Sequence, residues 1–452
     1  MANEQNQMQL QVGVGYKAIL KIAMPIAAAI LVPQVNFITN NIFLGALGEQ
    51  QLALAGITGV YYLIFAVLGF GLNSGVQALI ARRAGENRID EIGNLFNQGI
   101  RITVVFAALG IFITYAIAPS ILRLSLHNET NVQMAVSFLS IRIWGLPFLY
   151  QYQMRNALLV GTNQSRFLII ATIAETVTNI VLDYVLIYGH FGFPAMGFNG
   201  AAVASIAAEI TGVVVMLAVM HSRGINKQLQ LYKKFTYDAV NTKLILVQSF
   251  PIMLQYVLSV CSWEFFYILV EHHGERQLAI SNTMRNIFGL FGCASWAFAS
   301  ATNAMVSNVI GQGLYKEVIG LIVKIMKLST GFALAIFIIL NIFAPYLFSI
   351  YGQGDEFIRE SIPVVRVVSL ALIIMSASTV WLNAVIGTGN TRINLFIEIG
   401  AIILYCIYAY TVLETLQGSL AAGWMAEWIY WFAMLIPSFI YMKSGIWKGK
   451  KI

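Results

Sequence analysis

Apolar runs of about 20 residues recur from one end of this chain to the other, each long enough to cross the hydrocarbon core of a bilayer as a helix. Within lipid every backbone N–H and C=O must find its partner inside the chain, which leaves the helix as the spanning element for such runs. The expected architecture is an all-α integral membrane protein of twelve transmembrane helices. They cover residues 16–45, 50–81, 95–119, 133–158, 166–188, 199–221, 243–270, 277–309, 322–350, 361–386, 393–413 and 420–442. Of the 452 residues 58% are hydrophobic and 10% charged, where an ordinary soluble domain carries about 25% charged residues. Because the runs do not gather at one end, a soluble enzyme with a single anchor is excluded. The first run follows the polar segment Met1 to Gly15 and shows no small-residue cleavage site, so it is expected to span the membrane rather than to be a removed leader.

The net charge of +7 comes from lysine and arginine at alternate helix ends, not from a nucleic-acid-binding surface. One set of loops carries Arg82, Arg83, Arg88, Arg166, Arg223, Lys227, Lys233, Lys234, Lys243, Lys316, Arg392 and the tail residues Lys443, Lys448, Lys450 and Lys451. The opposite set holds only Arg123, Arg276 and Arg359. The positive-inside rule then places both termini in the cytoplasm of a multi-pass plasma (inner) membrane protein.

The chain is self-similar at one constant offset of 226 residues, which takes Pro25 to Pro251. At that offset GEQQLA from Gly48 returns as GERQLA from Gly274, Ser74 and Gly85 return as Ser300 and Gly311, and GTNQSR from Gly161 returns as GTGNTR from Gly387. The offset covers six spans, so the halves share one orientation and are related by a pseudo-twofold axis along the membrane normal. The expected division is residues 1–221 as an amino-terminal six-helix lobe, 222–242 as a cytoplasmic linker, and 243–452 as a carboxy-terminal lobe with a basic tail. A duplication of this kind is the architecture of secondary transporters, with a cavity between the halves.

Ionisable groups at membrane depth are costly and need a reason. Glu175, Asp183, Glu209, Glu264, Glu398 and Glu427 fall in spans, with Arg142, Arg155 and Arg285 as available partners. Glu175, Asn179 and Asp183 are spaced i, i+4, i+8 and line one face of the fifth helix. A carboxylate beside amide and hydroxyl oxygens suits a small hard cation, and the same carboxylate in an apolar wall can hold a proton. In the first span Gln34, Asn36, Asn40 and Asn41 lie within two turns, beside Pro33 and downstream of Pro25. Both prolines free backbone carbonyls and permit bending. At the repeat offset Asn179 and Asp183 fall on Tyr405 and Ala409, so this polar pair belongs to one half only.

The segments NNIFLGALGEQQLA (40–53), GFGLNSGVQALIARRAGENR (69–88), NALLVGTNQSR (156–166) and NIVLDYVLIYG followed by FPAMGFNGAAVAS (179–205) stand in an order and spacing that resemble the multidrug and toxic compound extrusion (MATE) transporters over essentially the whole chain. The resemblance implies two six-helix lobes around a cleft and export of organic compounds by antiport with Na⁺ or H⁺. It also implies an amino-lobe coupling site at Asp183 and Asn179, with Ser205 in place of a threonine and Asn40 in place of the aspartate that usually opens the first-helix motif. The loss of that acid leaves Asp183 to carry the coupling nearly alone, with Glu175 as its assistant. Gln34, Asn36, Glu264, Arg285 and Tyr150 are expected to line the substrate cleft, Glu264 either paired with Arg285 or facing a cationic substrate. Pro25 and Pro33 are expected to bend the first helix. Glu398 is expected near the cytoplasmic interface in a structural role.

Cys261, Cys293 and Cys406 lie in apolar runs without metal-ligand spacing, so no cofactor and no metal is expected beyond a coupling ion, Na⁺ or H⁺. The expected partners are a small-molecule substrate, probed as an amphipathic or cationic compound, and the surrounding lipid, with no nucleic acid and a monomeric state. A lipid-linked oligosaccharide flippase is the alternative reading, disfavoured because intramembrane acids outnumber bases. No cluster of catalytic histidines or cysteines points to an enzyme.

Overall fold

The structure, a computed structural model, describes residues 9–126, 128–233, 236–349 and 354–450. It consists of long helices: α1 Tyr16–Gly45, α2 Glu49–Gly85, α3 Ile89–Ser125, α4 Glu129–Gly161, α5 Leu168–Tyr188, α6 Phe198–Ser222, α7 Ala239–Glu271, α8 Glu275–Gly311, α9 Val318–Ile342, α10 Asp355–Thr388, α11 Thr391–Tyr410 and α12 Ala426–Ser444. Helix α4 tightens into a 3₁₀ turn at Ile143–Gly145 just ahead of Pro147, whose missing N–H cannot continue the α-helical ladder. Among the described residues eleven helices are long and apolar enough to cross a membrane. The remaining expected span, 277–309, is the continuous 37-residue helix α8. Its buried face carries Ser295, Thr302, Asn303, Ser307 and Asn308 in place of leucines, so inward-turned polar groups lower its hydropathy while its length still suffices.

The helices form two compact units, and both helices that open a repeat are divided between them. Residues Gln11–Ala27 of the amino-terminal segment and α1 belong with the described residues from Gln248 on, while Ala28–Val247, which includes the first turns of α7, forms the other unit. In α1 the division falls just after Pro25 and before Pro33.

In the first unit α5 packs on α6 and α4 packs on α2 and α3. Its cores are built from Leu54, Leu122, Leu139 and Ile187, and from Phe65, Ile143, Leu146 and Tyr150. The chain between α6 and α7 lies along α3: Gln98 Nε2 donates to the Thr236 carbonyl at 2.9 Å, and Asn94 Nδ2 donates to Asp238 Oδ2 at 2.7 Å. Asp238 also caps α7, accepting the backbone N–H groups of Val240 and Asn241 at 3.0 and 3.1 Å. Of the expected linker, residues 234–235 lie outside the described residues.

The second unit is built on α10, which packs against α8, α9 and α12. Fully buried Ser361, Ser369, Ser376 and Ser378 let neighbouring backbones approach it, the usual device of packed membrane helices. Phe266, Phe288, Phe348 and Trp424 fill the space between the helices. The segment before α1 is pinned here: Val12 N donates to Asn308 Oδ1 at 3.1 Å, and Gln312 Nε2 and Lys324 Nζ donate to the carbonyls of Val12 and Val14 at 3.0 and 3.1 Å.

The repeated glycines have physical causes. Gly48 and Gly274 precede α2 and α8 with φ of 138° and 110°, a region closed to side chains with a Cβ. A Cβ on Gly161 would stand 3.2 Å from the Gln77 carbonyl oxygen of α2, and a Cβ on Gly387 would stand 2.8 Å from the Asn303 carbonyl oxygen of α8. Each half therefore keeps the same close helix crossing.

Candidate functional site

The polar faces of α1 and α5 meet in the first unit. Asn36 Nδ2 donates to Asn179 Oδ1 at 2.6 Å. Two turns further on, the Tyr188 hydroxyl donates to the Phe43 carbonyl at 2.9 Å, and the Phe43 and Tyr188 rings meet edge to face at 6.1 Å. These two contacts fix the register of the helices, and between them Asn40 stands level with Asp183. Asp183 is fully buried. Neither of its carboxylate oxygens has a hydrogen-bond partner among the described residues, and the same is true of Asn36 Oδ1, Asn40 Oδ1 and Asn179 Nδ2.

Leaving a buried polar atom unsatisfied costs about 1–3 kcal/mol, more when it is charged. A group of five such atoms on two facing helices is therefore not a packing device. It offers four acceptor oxygens, with no ion pair to a basic side chain among the described residues, a donor set that fits a small hard cation or a proton shared with water.

The other expected site residues are distributed around this group. Ser205 on α6 lies at the height where Ala204 packs on Leu182, Val185 and Leu186 of α5, and its hydroxyl forms no hydrogen bond among the described residues. Glu175 is placed two turns from Asp183, where its Oε2 would lie 2.9 Å from a Cβ on Gly212 and where Glu209 and Arg142 act on it electrostatically. Gln34 is half-buried, and Pro25 and Pro33 are carried within one uninterrupted helix.

Tyr150 does not line a cleft. Its side chain is 1% exposed, its hydroxyl donates to the Phe65 carbonyl at 2.9 Å, and its ring would stand 2.8 Å from a Cβ on Gly69, so it is core. In the second unit Glu264 and Arg285 form no ion pair among the described residues. Arg285 instead lies over the rings of Trp263 and Tyr267, 5.6 Å from each centroid.

Two features escaped the sequence reading. Arg142 makes a two-pronged bond to Glu209, at 3.1 and 2.5 Å, and its guanidinium lies 3.9 Å above the Tyr62 ring. Glu398, expected near the cytoplasmic interface, is 1% exposed and held by Gln255, Ser259 and Tyr430. Both acids were visible as intramembrane charges, but their partners lie on other helices and no spacing within the chain reveals them.

The MatE family profile matches residues 25–185 and 251–411, two stretches that begin at the prolines opening the repeat. The chain belongs to the MatE family. Its members are membrane transporters, not enzymes. Among relatives, the probable multidrug resistance protein NorM of Thermotoga maritima is 23% identical over 96% of this chain and 94% of its own length. The NorM protein of Agrobacterium fabrum is 25% identical over 71% of this chain and 69% of its own. That of Synechocystis sp. is 31% identical, over a match of 44% of this chain and 43% of its own length. The MatE chain also shares its fold with a MOP superfamily transporter from Pyrococcus furiosus, at a TM-score of 0.88 and 18% identity over the whole of both chains. A multidrug resistance MATE transporter solved in an outward-facing conformation matches at 0.86 and 19% identity over 98% of each chain.

Proposed function

We propose that the protein exports organic, amphipathic or cationic compounds across the plasma (inner) membrane by antiport with Na⁺ or H⁺, acting as a monomer with both termini in the cytoplasm and lipid around its helices. The observation that carries this reading is the buried Asp183 carboxylate, with both oxygens free, beside the unsatisfied amides of Asn36, Asn40 and Asn179. The NorM relatives, whose printed names are those of probable multidrug resistance proteins, support the choice of substrate class.

Coupling requires the ion to bind one conformation better than the other, because a ligand of equal affinity for both shifts nothing. Asp183 sits where such a preference can arise. Its helix is joined to α1 by the Asn36–Asn179 and Phe43–Tyr188 contacts, and α1 is the helix divided between the two units within the stretch that holds Pro25 and Pro33. An ion that draws Asn36 and Asn40 onto Asp183 favours one shape of α1, and its loss releases that shape.

The flippase alternative needs cationic groups open to a pyrophosphate. Arg142 is bound to Glu209, and Arg155 donates to the Gln151 carbonyl and Oε1 at 2.8 and 2.9 Å, so neither offers one, which leaves Arg285, whose guanidinium lies over the Trp263 and Tyr267 rings.

The test is efflux of a planar aromatic cation such as ethidium from proteoliposomes under an imposed Na⁺ or pH gradient. The wild type is expected to respond to one gradient, and Asp183→Asn to lose that response. Unchanged gradient-driven efflux in the variant would remove Asp183 from the coupling site, and lipid turnover without efflux would favour the flippase.

A further inference from the structure

Two helices in corresponding places of the repeat present the same exposed face. On α5 Ile170, Val177 and Val181 are exposed, and the 226-residue offset takes them to Phe396, Ile403 and Ile407 of α11, which are exposed as well. Each stripe ends on an exposed tyrosine, Tyr184 or Tyr410, and begins one turn after an exposed arginine, Arg166 or Arg392. The rise from arginine to tyrosine is about 27 Å along a helix, close to the thickness of a hydrocarbon core. A cation at one edge, an aromatic hydroxyl at the other and apolar side chains between them mark a face turned to lipid.

Neither arginine stands alone. The Arg166 guanidinium lies 4.6 Å from the centroid of the Phe167 ring, and that of Arg223, just beyond α6, lies 5.5 Å from the same centroid. Phe167 is buried while both arginines are exposed, so the ring is a fixed support for two charges at the surface. At the repeat offset Phe167 becomes Ile393, and the second unit gathers its cations by another device. Asn390 Nδ2 donates to the Tyr441 hydroxyl and Asn390 Oδ1 accepts from Lys450 Nζ, which folds the segment after α12 back to the start of α11. Burial, and then the charge of Arg392, hold the Lys450 amine below its ordinary value. None of Arg166, Arg223, Arg392 and Lys450 forms an ion pair among the described residues.

We propose that each pair, Arg166 with Arg223 and Arg392 with Lys450, binds the phosphate of an anionic phospholipid whose acyl chains lie along the apolar stripe of α5 or α11. The sites go beyond the transport reading and use none of the groups around Asp183. Their leaflet, the cytoplasmic one, rests on the proposed orientation, whereas the binding itself does not.

Two like charges held together without an acid repel each other, and an anion placed between them removes that cost. A guanidinium offers a planar fork that matches two phosphate oxygens, and the first N–H groups of α5 and α11 add positive character at the same edge. Basic groups gathered between spanning helices at a membrane surface are suited to lipid phosphates. Phosphatidylcholine brings its own cation, which the pairs repel, whereas phosphatidylglycerol brings none. A soluble phosphate meets the charges alone. Only a lipid uses the charges and the apolar stripe together.

The experiment is native mass spectrometry of the purified full-length protein in detergent, titrated with phosphatidylglycerol or with phosphatidylcholine of the same acyl chains. The wild type is expected to retain two molecules of phosphatidylglycerol in preference to phosphatidylcholine. Arg166→Gln with Arg223→Gln, and separately Arg392→Gln with Lys450→Gln, are each expected to weaken one of the two roughly 30-fold, the effect of two charges at a membrane surface. Arg166→Lys with Arg223→Lys keeps the charges and is expected to restore retention, which separates loss of charge from loss of fold. Lys227→Gln removes an exposed charge outside both pairs and is expected to change nothing. Equal retention of the two lipids by the wild type overturns the proposal, as does a loss in Lys227→Gln equal to that in the pair variants. Displacement of phosphatidylglycerol by millimolar inorganic phosphate overturns it in favour of a soluble anion, and a dimer that the pair variants dissolve overturns it in favour of a second copy of the chain. Asp183→Asn is expected to keep both lipids, so that coupling and lipid binding fail separately.

Discussion

Single side chains divide into those whose partners satisfy them and those left open, and this division separates packing from chemistry. Tyr150 was chosen from sequence as an aromatic that could stack on substrate, and the structure closes it in with its hydroxyl satisfied. Tyr150→Phe is therefore expected to cost about 1 kcal/mol of stability through one lost hydrogen bond and to leave the KM for efflux unchanged. A raised KM at unchanged melting temperature would return Tyr150 to the substrate path. Asp238 makes a different case. The Asn241 backbone N–H, and then the Asn94 amide, hold its carboxyl below the usual carboxylate range. Its stabilisation is therefore present above the unfolded value of about 4 and fades as the pH falls through the lower folded value. Asp238→Ala, which also removes the cap of α7, is expected to lower stability by about 1 kcal/mol at neutral pH. The gap in melting temperature from wild type should narrow in acid, and a gap that is constant with pH would show that the charge contributes nothing.

At the scale of the helix, the two most readable features of the sequence, proline and glycine, turn out to do opposite things. Gly161 and Gly387 lock helix crossings, and their equivalence across the repeat was legible because only glycine fits beneath a neighbouring carbonyl. Gly387→Ala is expected to destabilise by about 1–3 kcal/mol, as overpacking does, whereas Gly400→Ala, whose added methyl meets nothing within 4 Å, is expected to be neutral or slightly stabilising. Thermal unfolding in detergent compares the two, and equal effects would show that the crossing tolerates expansion. Pro25 and Pro33 instead withhold two backbone N–H groups from the helix that carries Asn36 and Asn40. Replacing either by alanine restores a helical hydrogen bond, so greater thermal stability with slower efflux is the expected result. Efflux at the wild-type rate in both variants would dissociate bending of α1 from transport. The polar register of α1 against α5 was only partly legible. The i, i+4, i+8 face of α5 could be read from the chain, but not that Glu175, at the end of that face, is covered by α6 at Gly212 and comes under the influence of Glu209 and Arg142.

Over the whole molecule, what repeats is what the backbone needs, and what differs is what the chemistry needs. The two family matches open on Pro25 and Pro251, and the turn glycines Gly48 and Gly274 share one unusual conformation. Such features leave a local signature and survive as sequence identity. The buried acids leave none: Asp183 lies on α5, whereas Glu398 and Glu427 lie on α11 and α12, so the 226-residue offset that reveals the frame does not relate them. The division of α1 and α7 between units was hidden for the same reason, since a continuous apolar run carries no mark of which neighbours its ends will choose. Membrane orientation is the property of the whole chain that sequence argues and contacts do not. The loop that holds Arg82, Arg83 and Arg88 is basic, whereas Leu416 to Ser419, between α11 and the last span, carries no charge. In a background without Cys261, Cys293 and Cys406, a cysteine placed by Gln417→Cys is expected to react with an impermeant maleimide in intact cells. One placed by Asp90→Cys, exposed at the start of α3, is expected to react only after the membrane is opened. The reverse pattern would invert the topology, and with it the side from which a proton or sodium ion must reach Asp183.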